Sequence, residues 1–140
     1  MNTAKTSNVV GAIVLLFYVN LLPYACRLYR GAEWAAQYLP DKGHTLSGLL
    51  FFGGFASLPA LPLIASFWLR KHLPFTFLTA GLVATVLLVA WHHNYDLAAD
   101  AQAAIGLVFI PIYAALITGV AAGITAGAEW LIRKARDSAF

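Results

Sequence analysis

The residues of this chain with the widest chemical reach are His44, His92, His93 and Asp96. Glu33, Asp41 and Asp100 stand in the same class of polar connection. Imidazoles and carboxylates at such spacings are ligands for zinc or copper, and a histidine can hold haem. His92 and Asp96 are four apart and share a face if the helix carrying His92 continues for one more turn. His44 opens one apolar run and His92 closes another, so an antiparallel pair of helices brings them to one level. The pattern matches no recognised metal motif, however, and a helix end is an ordinary place for histidine and aspartate. A wet polar loop is therefore the first reading and a metal or haem site the second. No Ser-His-Asp set, glycine-rich phosphate loop or pair of intramembrane carboxylates is present, so the expectation is a protein that is not an enzyme and needs no cofactor. Cys26 is the sole cysteine, which rules out an intramolecular disulfide.

The elements that must position these residues are four apolar runs. Only 11% of the 140 residues are charged, against 61% hydrophobic, and a soluble domain carries roughly 25% charged residues. The runs cover about 8–28, 45–69, 74–92 and 100–134, and each can cross about 30 Å of hydrocarbon as a helix. No Lys, Arg, Asp or Glu lies deep inside any of them. The expected fold is all-α, an integral membrane four-helix bundle with short loops, with residues 1–140 forming a single transmembrane domain. The net charge of +3 gathers at span ends instead of on one face, which argues for topology control and against a nucleic-acid partner.

Local signals refine these boundaries. Pro74 suits the first turn of the third span, and Asp100 is an N-cap candidate for the fourth. Pro59 and Pro62 in the second span, and Pro111 in the fourth, each remove a backbone donor and should bend their helices. Trp34, Trp68, Trp91 and Trp130 all fall at or just beyond span ends, the headgroup level that indole prefers. Trp34, Tyr38 and Leu39 recur at helical spacing and predict a short surface helix, closed by Pro40-Asp41. The first run resembles a signal peptide, but Pro23 and Tyr24 fit poorly before a lipoprotein cysteine, so it is read as the first membrane helix. Lys5, Arg70, Lys71, Arg133, Lys134 and Arg136 share one side; Arg27, Arg30 and Lys42 share the other. That bias places both termini in the cytoplasm, and economy of design suggests a bacterial inner membrane.

The most specific pattern is in the fourth span. Ala115, Gly119, Gly123 and Gly127 form one small-residue row, and Ala114, Thr118, Ala122 and Ala126 form a second beside it. Such rows let helix backbones approach closely in lipid, where the hydrophobic effect no longer joins helices. They serve either packing within the chain or contact with another helix. Asn20 lies within the first span, and its amide must find a partner across helices. Among the spans' uncharged polar groups are Ser57, Thr79, Thr85, Thr118 and Thr125, with Gln102 near one end. Glu129 and Arg133 are four apart and read as an interfacial ion pair. The residues resemble no known compact four-span family. The expectation is a small non-enzymatic membrane protein acting through helix–helix contacts: an accessory or regulatory subunit, or an immunity-type factor. Its partners are then the lipid bilayer and either a second copy or another membrane protein. The alternative is a homo-oligomeric pore or channel, and a metal- or haem-binding redox protein is a third.

Overall fold

The computed structural model describes residues 3–38, 46–99 and 103–138, and all regular structure among them is helical: α1 (Thr3–Arg30), α2 (Ala32–Ala36), α3 (Leu46–Ala56), α4 (Ala60–Leu69), α5 (Pro74–Asn94) and α6 (Ala103–Asp137). His44, Asp41, Asp100 and Gln102 lie outside the described residues, as does the expected helix stop at Pro40-Asp41. Helices α1, α5 and α6 are each long and apolar enough to cross a membrane. α3 and α4 pass that test only as a bent pair.

The break between α3 and α4 corrects the single helix read over 45–69. Pro59 and Pro62 cannot donate to the carbonyls one turn earlier. The chain responds with tighter turns: Leu58 N–H donates to Phe55 O at 3.0 Å, Ala60 N–H to Ser57 O at 2.9 Å and Leu61 N–H to Leu58 O at 3.0 Å. The two halves meet at 45°. Ser57 closes the corner by donating to Gly53 O at 2.7 Å, and the Asn20 amide reaches it from α1 at 3.0 Å while also donating to Leu16 O at 2.8 Å. Pro111, by contrast, leaves α6 in one piece.

α5 is the centre, packed against α1, α4 and α6. Its buried residues Thr76, Ala80, Ala84, Leu88 and His92 recur every four positions, a single stripe along one face. Ala80, Ala84 and Leu88 join Ala114 and Ala122 of α6, Val19 of α1, and Ala60 and Leu63 of α4 in one core cluster. Alanine on facing helices lets backbones come close, and dispersion contacts then replace the hydrophobic drive that lipid does not supply. Gly11 has the same use at another crossing, since the Phe67 ring lies where a Cβ would stand.

Each end of α5 leaves backbone groups without intrahelical partners. Leu73 at the N-cap has no side-chain acceptor, and none caps the helix locally. The acceptor comes from α6 instead. The buried Glu129 carboxylate takes the Phe75 N–H at 3.2 Å, the Thr76 N–H at 2.7 Å and the Thr76 hydroxyl at 2.7 Å. Glu129 thus serves as a cap, while the Arg133 charge four residues on still acts on its carboxylate. Two free amides at a positive helix terminus hold the carboxylate, and an exposed cation adds little to them.

Removing this cap leaves two amides and a hydroxyl unpaired in a region with little water. Glu129→Ala is expected to lower stability by about 1–3 kcal/mol, and Thr76→Val, which deletes one of the three bonds, by less. Thermal unfolding in detergent, followed by far-ultraviolet circular dichroism, measures both.

Candidate functional site

The densest polar arrangement lies at the end remote from the termini, where α1, α2 and the end of α5 converge. Gly31, at φ 150° and ψ 156°, turns the chain from α1 into α2 in a conformation that side-chain-bearing residues rarely adopt. The turn folds Trp34, Gln37 and Tyr38 back over the last turn of α1, where Arg27 waits.

Arg27 is fully buried, and among the described residues no carboxylate lies against it. Its Nε donates to Trp34 O at 2.8 Å, and one terminal nitrogen donates to His92 O at 3.1 Å and Tyr95 O at 2.5 Å. The other terminal nitrogen donates to the Gln37 side-chain oxygen. The guanidinium also lies over the Tyr38 ring at 4.0 Å and the Trp34 ring at 5.2 Å. Among the described residues, carbonyls at the negative end of α5 and two aromatic faces balance this charge. Arg30 adds a donation to His93 O at 2.5 Å and stacks on Trp34 at 3.3 Å.

Gln37 passes the network on to a carboxylate. Its oxygen also accepts from Leu97 N–H at 3.1 Å, and its nitrogen donates to Asp96 Oδ1 at 3.1 Å. Asp96 in turn accepts from Ala98 N–H at 2.9 Å. Tyr38 bonds His92 Nδ1 at 2.5 Å and packs edge-on against its ring. Burial pushes the Tyr38 phenol up to about 12, against the downward pull of the Arg27 charge.

This geometry uses the candidate ligands differently from a metal site. His92 and Asp96 enter one network, but through Tyr38 and Gln37. His93 enters through its main-chain carbonyl. Among the described residues no three His, Cys, Asp or Glu side chains gather as a metal requires. Sequence reasoning passed over Arg27, Gln37 and Tyr38 as the members that join these elements. The available signal was Arg27 itself, a cation at a span end followed by Trp34 and Tyr38 seven and eleven residues on.

The second candidate is the pair of small rows on α6. Ala114, Thr118 and Ala122 are buried against the rest of the chain. The Thr118 hydroxyl has no hydrogen-bond partner among the described residues. The row of Ala115, Gly119, Gly123 and Gly127 lies beside it and turns outward. A Cβ on Gly119 would reach Pro62 at an ordinary 4.0 Å, and among the described residues nothing lies within 4 Å of one placed on Gly123 or Gly127. The inner row packs within the molecule; Gly123 and Gly127 of the second row are exposed.

Two outcomes test the polar cluster. Arg27→Lys should destabilise the protein nearly as much as Arg27→Met, because an ammonium lacks the planar fork that serves four acceptors. The cost, about 3 kcal/mol, is read from thermal unfolding in detergent. Tyr38 gives a pH signature. Its folded-state value lies above its ordinary 10.0, so the unfolded chain loses that proton first as pH rises. Tyr38 stabilises the fold fully below about pH 10, and that stability falls away between about 10 and about 12. Subtracting the tyrosinate absorbance titration of Tyr38→Phe from that of the wild type isolates the late step; a Tyr38 midpoint near 10 contradicts it.

Comparison of the chain with protein-family models, with curated proteins and with solved structures gives no match. Its function is therefore argued from its own side chains.

Proposed function

We propose that this protein is a small non-enzymatic membrane protein, a four-helix bundle that acts by presenting the outer glycine row of α6 to another helix. The observation that carries this reading is the open space over Gly123 and Gly127. Glycine in a helix interior costs about 1 kcal/mol relative to alanine. On the inner row that cost could be offset by close packing within the chain, yet the inner row is alanine and threonine. The glycines stand on the side the chain itself leaves uncovered, where only an approaching backbone recovers the loss. An accessory or regulatory subunit, or an immunity-type factor that binds a membrane-active partner, fits this arrangement.

Both termini then lie on the cytoplasmic side of a bacterial inner membrane, supported by the excess of Lys and Arg at that end. The metal reading draws no support from His92 or Asp96, whose ring nitrogen and carboxylate oxygen already have protein partners.

Native mass spectrometry after mild extraction decides between the readings. Wild-type protein should leave the membrane as a complex, with itself or with a second polypeptide, and Gly123→Leu should release the monomer with unchanged helicity. A wild-type monomer without partners overturns the proposal. A homo-oligomer that passes ions in liposomes, with flux abolished by Gly123→Leu, replaces it with a pore.

A further inference from the structure

The inward turn of Glu129 changes the charge at the end of the molecule that carries the termini. Its contacts with Phe75 and Thr76 set the start of α5, and therefore the turn Arg70–Lys71, level with Glu129. Five described cations belong to this end: Arg70, Lys71, Arg133, Lys134 and Arg136. Arg70 is occupied by Phe67 O at 2.6 Å, by Asn8 Oδ1 at 3.2 Å and by the face of the Phe67 ring at 3.5 Å. Lys71, Arg133, Lys134 and Arg136 are exposed, and the Arg133 charge also acts on the Glu129 carboxylate. Among the described residues the carboxylates at this end are Glu129, buried and committed to the cap, and Asp137, exposed at the last turn of α6.

The geometry sets the depth of these cations. α6 continues from Glu129 to Asp137, about 12 Å at 1.5 Å per residue. Trp130 and Trp68 are exposed at the start of that extension, at the level indole favours. Arg133 and Lys134 stand about 6–8 Å beyond Glu129, within the headgroup layer, which adds roughly 5–8 Å on each side of the hydrocarbon. Lys134 lies over the Trp130 ring at 5.2 Å, its charge held near the boundary. Trp130, Leu131 and Ile132 are exposed just before Arg133 and Lys134, so an apolar segment gives way to a cationic one as it does at an acyl–headgroup junction.

We propose that Arg133, Lys134 and Arg136 form a binding surface for the phosphate headgroup of anionic phospholipid, with Lys71 contributing from the adjacent turn. Glu129 is held by its hydrogen bonds at the start of α5, so the exposed cations of this surface outnumber the one exposed carboxylate described beside them, Asp137. The inference rests on the membrane-spanning reading and is independent of what covers the glycine row.

The test places the protein in nanodiscs of equal parts phosphatidylglycerol and phosphatidylcholine and counts retained lipids by native mass spectrometry. Each surface cation is worth about a fivefold attraction to anionic lipid. Wild-type protein should keep phosphatidylglycerol in preference. The triple variant R133Q/K134Q/R136Q should lose that preference at least about fivefold, while the lysine-for-arginine variant R133K/R136K keeps it. Circular dichroism of the exposed-residue variants verifies that the fold is intact. Equal retention of the two lipids by inserted wild-type protein overturns the proposal, as does an unchanged preference in the triple variant or an acidic polypeptide released in place of the lipid. Failure to insert at all overturns the membrane reading instead, so the two failures are distinct.

Discussion

α5 is gripped at both ends by side chains of opposite charge that come from its neighbours. Glu129 of α6 takes the amides at its start, and Arg27 and Arg30 of α1 take the carbonyls at its end. Each charge has the sign that the aligned peptide dipoles require. Each also satisfies backbone groups that would otherwise be orphaned where water is scarce. Because the donors and acceptors belong to different helices, the two clamps do more than stabilise α5. They fix the register of α1 and α6 against it, and so decide which residues of α6 face inward. The alanine seam and the outward glycine row are both consequences of that register.

Much of the architecture was legible because lipid imposes so simple a rule. Apolar runs of this length have to be helical, so α1, α5 and α6 follow from hydropathy alone, and Pro59 with Pro62 marked the place where the second run bends. The candidate sites were less legible for one physical reason. Arg27 and Glu129 bind mainly backbone N–H and C=O groups, which every residue carries and no pattern marks. From sequence, Glu129 has only Arg133 within helical reach, and Arg27 looks like a free cation at a boundary. Likewise two rows with the same four-residue period cannot be ranked until a neighbouring helix covers one of them. Asn20 is the contrary case: a lone amide in an apolar run demands a partner, and Ser57 supplies it.

The polar cluster and the glycine row differ in kind. The cluster is saturated: the Arg27 nitrogens, the Gln37 amide and the His92 ring nitrogen facing Tyr38 all have partners inside the chain. Such a network holds α2 down and sets the end of α5. At Gly123 and Gly127 the second row is exposed, with no described residue against it.

The corner at Ser57 has a consequence for how the chain is built. α3 and α4 contain 11 and 10 residues, about 16 Å and 15 Å of helix, so neither half crosses the hydrocarbon alone. Their junction needs an amide donor that only α1 provides. α1 precedes the corner in the chain, so the donor is synthesised before the residue that accepts from it. The order of synthesis thus runs in the same direction as the order of need.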